Sequence, residues 1–417
     1  MLWNYFIIIV ERGKNIIPTV RFPKKSIEKQ MKIVNIIYQA GTLTESTPNL
    51  TIGFLHKTVK HSYTFSMIKP LHLKGDYKPI QLSPIKCFSM KCIPFVLLQF
   101  RFCIKYITHK KSHNILWVKT NMLNLLRFIY LFHFIKKNNI THLNCFFGNI
   151  GEFFVQLTIF LPLKVTVSFH GVDASDSMLK GYFNIKKYCD AYFVLAEHMK
   201  FDLLKRGFRK ELIHVIKTGL NFSSMPLYDT YSKKNQIVYV GRLVEKKAIL
   251  DAIFAFSLIS QKFSQYSFIV VGDGPLMEKA KKTTHELSLT GRIFFLGSQL
   301  PERVYQIMLE SKVFLLPSKT APTGDKEGAP VSIIEAQVLG LPVVSTFHAG
   351  IPEIVIPDKT ALLSNEGDIA KIAQGIECLL EDESLLKSFS KRAIDYSRSR
   401  FDITRRITEI IEVLQGL

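Results

Sequence analysis

The chain has 417 residues, 47% hydrophobic and 21% charged, an ordinary globular balance with enough length for two to three domains and sizeable cores. The formal net charge of +21 is confined to one half: residues 1–225 hold 32 Lys and Arg against 11 Asp and Glu, and residues 226–417 hold 23 of each. Cys87, Cys92, Cys103, Cys145, Cys189 and Cys378 show no paired C-x-x-C spacing, which speaks against a zinc cage or a disulfide framework and for a reducing, cytoplasmic compartment.

Met1 to Val10 is apolar but lacks a basic leader and a small-residue cleavage site, so it is not read as a signal peptide. Residues 1–30 are taken as an extension, with Met31-Lys32 as a natural start. Lys32 to Tyr38 is a short β-rich apolar run suited to a buried parallel strand. Gly41 and then Thr47-Pro48 follow, an N-cap and first-turn proline able to start a helix. Residues 57–94 carry no readable pattern.

The basic half has no zinc-finger, RNP or basic-zipper wording, so nucleic acid is not the expected partner. Its basic residues are interleaved with aromatic and aliphatic runs, Phe95 to Ile107 and Leu126 to Lys137, which fits an anionic membrane face. A solvated basic surface from a compositionally biased genome has the same composition. The strongest apolar run, Phe153 to Leu163, is too short for the roughly 20 residues that a membrane-spanning helix needs.

Ile140 to Phe147 and Lys164 to Phe169 read as further strands, the second ending in His170-Gly171-Val172-Asp173. His170 thus stands at the carboxyl end of a strand, where open α/β sheets bind ligands; alternatively it is a turn histidine, with Asp173 capping the next helix. A strand at Asp190 to Leu195, a helix at Glu197 to Lys205 and a strand at Glu211 to Lys217, closed by Gly219, complete a first domain over 31–221. The polar stretch 222–236, with Pro226 and Lys233-Lys234, reads as a hinge linker.

From Ile237 strands and helices alternate: strand 237–240, helix 247–260, strand 267–271, helix 276–287, strand 293–296, helix 301–310 and strand 313–316. This spacing means a parallel sheet with βαβ crossovers, a second Rossmann-like domain over 237–400. Arg242 at the end of its first strand and Lys247 at the start of the helix can converge on one diphosphate, the arginine as a fork and the lysine as a point charge. The alternative, a basic surface turn, is plausible for Lys246 between them and weak for Arg242 and Lys247. Gly272-Asp273-Gly274-Pro275 is a tight loop at the ligand edge of the sheet, a composition also common in ordinary turns.

Asp325 to Leu339 carries Glu327 and Glu335, seven residues apart. Gly328 and Pro330 break the chain before an apolar helix, so Glu327 sits on a loop and Glu335 one turn inside. The amides at such a helix start suit a phosphate. The carboxylates beside it repel a bare phosphate but accept hydrogen bonds from vicinal hydroxyls, a combination that points to a nucleotide sugar. The alternative is a surface loop before an ordinary amphipathic helix. Gly340 ends the helix, Leu341 to Ser345 is a strand, Gly350 and Pro352 in the following turn are structural, and 401–417 is an amphipathic helix.

Glu327 and Glu335, with Gly241-Arg242-Leu243 and Lys247, resemble the E-x7-E and G-R-L-x-x-x-K elements of retaining glycosyltransferases of the GT-B fold, group 1, among them bacterial exopolysaccharide, colanic-acid and lipopolysaccharide transferases. The resemblance is dense from about Val165 to Ile354. It implies two Rossmann-like domains facing across a cleft, the last helix crossing back toward the first. It further implies that Glu335 holds ribose hydroxyls, Glu327 the donor-sugar hydroxyls and the amides of Gly328, Val331 and Ser332 the diphosphate. Gly272 then lines the nucleotide cleft, Gly297 seats the base and His170 faces the donor sugar. The expected activity is sugar transfer with retention from a nucleotide-diphosphate sugar to a glycan acceptor, lipid-linked, by an enzyme peripheral on the inner membrane face. No D-x-D motif stands at a strand end, so neither a metal nor another cofactor is expected. The rival readings are a phosphorylase or sugar-phosphate synthase on the same fold, and a non-catalytic membrane- or nucleic-acid-binding scaffold derived from a transferase.

Overall fold

Apolar β-branched runs separated by amphipathic stretches dictate the second half of the molecule, where the expected alternation is observed nearly residue for residue. In a computed structural model, which describes residues 8–9, 31–39, 62–68, 79–80, 128, 131–226 and 233–417, six parallel strands run in the order Ile293–Phe295, Ser267–Val271, Gln236–Val240, Val313–Leu315, Val343–Thr346, Ala361–Ser364. Numbered along the chain that order is 3-2-1-4-5-6, a doubly wound sheet. Helices Ile249–Ile259, Met277–Glu286 and Pro301–Glu310 form the crossovers. Ile369–Glu381 and Glu383–Arg400, each N-capped by an aspartate side chain (Asp368, Asp382), follow the last strand.

Two boundaries differ from expectation for backbone reasons. Residues Glu245–Lys247 form a 3-10 turn, and the helix begins only at Ile249, after Ala248 adopts the left-handed region at φ 50°. Lys247 therefore belongs to the turn, not to the helix. The expected strand 211–217 shrinks to Ile213–Val215 behind a 3-10 turn at Lys210–Leu212.

By compactness the chain divides into one unit from residues 1–168, 182–192 and 411–417 and another from 169–181 and 193–410. The stretch expected as a linker, 222–236, lies within the second unit: Phe222–Ser224 is a 3-10 turn, Lys233 Nζ donates to Ser311 O (2.8 Å), and Lys234 N donates to Glu310 O (2.7 Å). Both lysines fasten this segment to the end of helix Pro301–Glu310. Helix Ile403–Gly416 is likewise pinned: Arg406, 2% exposed, donates from Nη1 to Ile216 O (2.8 Å) and Lys217 O (2.7 Å). Residues 411–417 group with the first unit, where His142 Nε2 lies 3.1 Å from Leu414 O.

In the first unit, strands Ser62–Ile68, Ile33–Gln39, His142–Phe146 and Lys164–Ser168 pair parallel in that order. Asn35, Asn144 and Thr166 face one another across three strands and are joined by side-chain hydrogen bonds of 3.1 Å each. A one-residue slip would bury these amides without partners, so the row fixes the register. Ile8–Ile9 pairs antiparallel with Ser62–Ile68 and with Pro79–Ile80. The expected helix start at Thr47-Pro48 and the aromatic run 95–107 lie outside the described residues. Among the described residues no helix is long and apolar enough to cross a membrane, and Cys145, Cys189 and Cys378 are free thiols.

Gly272 closes the edge on which the site is built. Its φ is 130°, and a Cβ there would meet Gly241 O at 2.0 Å. Gly272→Ala is expected to destabilise the protein by about 2–4 kcal/mol through backbone strain and displacement of the 241–247 turn, measurable by denaturant unfolding. An alanine variant as stable as the wild type contradicts this packing.

Candidate active site

In a doubly wound sheet the ligand crevice opens at the carboxyl ends of the two strands where the winding reverses, here Gln236–Val240 and Val313–Leu315. The residues after these strands are the 241–247 turn and the 316–330 loop. Tyr239, fully buried, has its hydroxyl within reach of Lys247 O (3.2 Å) and Arg242 O (3.4 Å) and can donate its one proton to either, which ties it to both ends of the turn. Lys247 Nζ reaches across to Glu327 Oε1 at 2.9 Å, with both side chains nearly buried. Ser318 Oγ donates to the same oxygen (3.2 Å). Burial works to raise the Glu327 carboxyl, but Lys247 and Lys246 outweigh it and hold it below the ordinary range. Glu327 is therefore a fixed anion.

Lys246 is not a surface residue, contrary to the sequence reading. It is 6% exposed and donates to Asp325 Oδ1 (3.0 Å) and Lys326 O (3.1 Å). The reason is spatial: the 3-10 turn directs two adjacent lysines at two carboxylates of one loop, a match across about 80 residues that a local pattern does not reveal. Lys319 adds a third clamp, 2.7 Å from the largely buried Asp251. Arg242 is exposed.

Helix Val331–Val338 begins at Pro330 with no side-chain cap, so the first-turn amides of Val331 and Ser332 have no side-chain acceptor. Glu335 lies one turn in, half-buried, and accepts a hydrogen bond from Tyr305 Oη (3.1 Å). Burial pushes its pKa up to about 7 despite that bond. The two carboxyls of the motif are thus set apart, one held charged by lysines and the other titrating near neutrality.

The 170–171 turn packs on the same loop: a Cβ on Gly328 would lie 3.5 Å from His170 O and 3.4 Å from Met199 Sδ. Asp173 accepts the His170 amide (2.8 Å), turning back on the strand end. Burial, reinforced by the Arg406 charge, lowers the His170 pKa to about 3, so its imidazole is neutral at physiological pH. Gly350 allows a very close approach, since a Cβ there would meet Gly328 O at 1.9 Å. Gly297 O accepts the Gly272 amide (2.9 Å), joining the loops after two neighbouring strands.

The structure thus brings His170, Gly328, Lys247 and Glu327 to one loop cluster, with Arg242 on the same turn as Lys247 and Glu335 on the helix that follows. Sequence reasoning missed Tyr239, Tyr305, Ser318, His348, Glu353 and Glu366. His348 is 1% exposed; its Nε2 accepts the Glu327 amide (3.1 Å), and its Nδ1 lies 2.6 Å from Glu366 Oε1. Glu353 caps helix Glu197–Lys205, accepting the Glu197 amide at 2.9 Å. A histidine right after a predicted strand, as at 170, was the one local signal for His348.

Residues 226–396 match the family described as Glycosyl transferases group 1. AmsK of Erwinia amylovora, an amylovoran biosynthesis glycosyltransferase, is 30% identical over 233 residues, 54% of this chain and 57% of AmsK. WcaL of Escherichia coli K12, named for colanic acid biosynthesis, is 28% identical over 263 residues, 60% of this chain and 64% of WcaL. The chain thus spans about three-fifths of the length of these relatives. Among solved structures, Anabaena HepE in complex with UDP and glucose superimposes with a TM-score of 0.68 at 17% identity, over 93% of this chain and all of HepE. The fold is GT-B.

The raised pKa of Glu335 makes stability of this domain pH-dependent. Its carboxyl is protonated in the folded state up to about 7, whereas the unfolded chain ionises near the ordinary 4.5. The favourable contribution is present below the unfolded value and lost as pH rises through about 7. Glu335→Gln is therefore expected to gain about 2 kcal/mol relative to wild type between pH 5 and pH 8, read by denaturant unfolding at both. An equal difference at both pH values refutes the assignment.

Proposed function

We propose that the protein is a retaining glycosyltransferase that moves a sugar from a nucleoside-diphosphate sugar to a glycan acceptor of a bacterial surface polysaccharide, lipid-linked and presented at an anionic membrane face. The carrying observation is the Lys247–Glu327 pair at 2.9 Å, set at the winding reversal of a group 1 transferase domain and next to an uncapped helix start. Cation, fixed anion and free amides are what a sugar diphosphate needs in one place.

The chemistry follows from charge. Departure of the nucleoside diphosphate builds negative charge on its outer phosphate, and Arg242, Lys247 and the Val331 and Ser332 amides stabilise it electrostatically in place of a divalent ion. Glu327, held ionised, accepts hydrogen bonds from donor-sugar hydroxyls, and Glu335 accepts those of the ribose. Neutral His170 offers its imidazole to the sugar without repelling the positive charge that develops at the anomeric carbon. Gly272 and Gly297 line the base side. The acceptor attacks on the face vacated by the leaving group, so configuration is retained without a covalent carboxylate intermediate. HepE binds UDP, which makes UDP the first nucleotide to test, with GDP and ADP beside it.

Arg242 is exposed, so Arg242→Ala is expected to lower turnover at least a hundredfold, about 3 kcal/mol of transition-state stabilisation, without moving the melting temperature. Turnover and calorimetric binding of UDP, GDP and ADP are expected to be unchanged in EDTA. Binding of no nucleotide, or activity restored only by a divalent ion, refutes the reading. Co-sedimentation with vesicles containing anionic lipid, weakened by salt, is expected from the net charge of +21. Equal binding to neutral vesicles, or none, removes the membrane from the proposal and leaves a soluble acceptor.

A further inference from the structure

The loop that ends in Glu327 is held by its two ends on one pair of side chains. At its start, Thr320 donates from its amide to Glu366 Oε2 (2.8 Å) and from its hydroxyl to Glu366 Oε1 (3.3 Å). At its end, the Glu327 amide donates to His348 Nε2 (3.1 Å), and His348 Nδ1 lies 2.6 Å from Glu366 Oε1. Between them the loop folds on itself, Ala321 N donating to Asp325 O (2.9 Å) and Gly324 N to Ala321 O (2.8 Å). Glu366 and His348 follow two different strands, Ala361–Ser364 and Val343–Thr346, so both are anchored in the sheet.

These contacts fix the tautomer. A backbone amide can only donate, so Nε2 must carry the lone pair and the proton must sit on Nδ1, where the Glu366 carboxylate accepts it. Burial keeps His348 below its ordinary pKa, against the opposing pull of Glu366 and Glu327 and together with His198. Either the other tautomer or an imidazolium would place an N–H against the Glu327 N–H and release that end of the loop. Glu327 is therefore fixed from two sides: its carboxylate by Lys247 and Ser318, its main chain by His348.

We propose that His348 and Glu366 form a positioning dyad for Glu327. Neither touches the donor. The dyad sets the backbone of Glu327 so that its carboxylate meets the donor-sugar hydroxyls, and it leaves the nucleotide to Arg242, Glu335 and the helix start. This rests on the donor-site reading above. It goes further by dividing the site into a nucleotide part that does not depend on the dyad and a sugar part that does.

The test compares His348→Leu, His348→Gln and Glu366→Ala with wild type. It measures UDP affinity by calorimetry, melting temperature, and kcat and KM on the nucleotide sugar that wild type hydrolyses from a panel of UDP- and GDP-sugars. His348→Leu is expected to lose at least thirtyfold in kcat while UDP affinity stays within threefold. In His348→Gln the side-chain carbonyl can accept the Glu327 amide, and at least tenfold of that loss should return. Glu366→Ala removes a partly exposed side chain; it is expected to fold normally, to lie between the two in kcat, and to decide the matter if His348→Leu does not fold. The dyad is overturned if the leucine or alanine variant keeps kcat within threefold of wild type. It is equally overturned if glutamine and leucine are impaired alike, or if UDP affinity falls in step with kcat. A wild type that binds none of UDP, GDP and ADP overturns the donor-site reading itself, and the dyad's role with it.

Discussion

Two adjacent lysines buried in one turn are the constraint around which the second unit is arranged. Taking an ammonium group out of water costs several kcal/mol unless a carboxylate meets it at close range. Lys246 and Lys247 both go inside, and the loop of Asp325 and Glu327 supplies one acid to each, at 3.0 and 2.9 Å. Breaking either pair by removing one partner leaves the other charge buried and unmatched, a loss of about 3–5 kcal/mol. The pairs join the loops after the two central strands, so the crevice edge is assembled by charge matching.

Around that clamp the backbone is packed closer than side chains allow. Gly272 lies against Gly241, Gly274 against Leu243 and Gly350 against Gly328, each with a carbonyl where a Cβ would be. These contacts bring the main chains at the ends of neighbouring strands together, so part of the edge is built from backbone. A surface made this way has few rotamers to lose when a ligand arrives, which lowers the entropic cost of binding.

The second half of the chain was legible because its signals are local. Helix Pro301–Glu310 and strand Ser267–Val271 were bounded correctly from periodicity and a first-turn proline alone. Arg242, Lys247, Glu327 and Glu335 could be singled out because their spacing along the chain carries the pattern. What was not legible depends on partners far away in sequence. Lys246 looked like a surface lysine, since nothing near it announces Asp325, and Tyr305 and His348 take their meaning from Glu335 and Glu327, 30 and 21 residues distant. The strand Ser62–Ile68 does alternate polar and apolar residues from Ser62 to Met67, a local signal that was passed over, and the helices Ile369–Glu381 and Glu383–Arg400 lie beyond the motifs that carry the pattern.

Arg406 reaches back to Ile216 and Lys217 across about 190 residues, while Phe401 and Ile403 bridge to Leu220 by main-chain hydrogen bonds of 2.7 and 3.0 Å. On the ribosome, at about 5–20 residues per second, the turn at 216–220 waits on the order of 10–40 s for these partners to be made. Until then its carbonyls must be served by water or by a chaperone. Arg406 also adds to the effect of burial in depressing the proton affinity of His170, so helix Ile403–Gly416 contributes to the electrostatics of a residue translated long before it. A chain in which helix Ile403–Gly416 is missing or scrambled would carry an intact E-x7-E motif beside an unfinished turn.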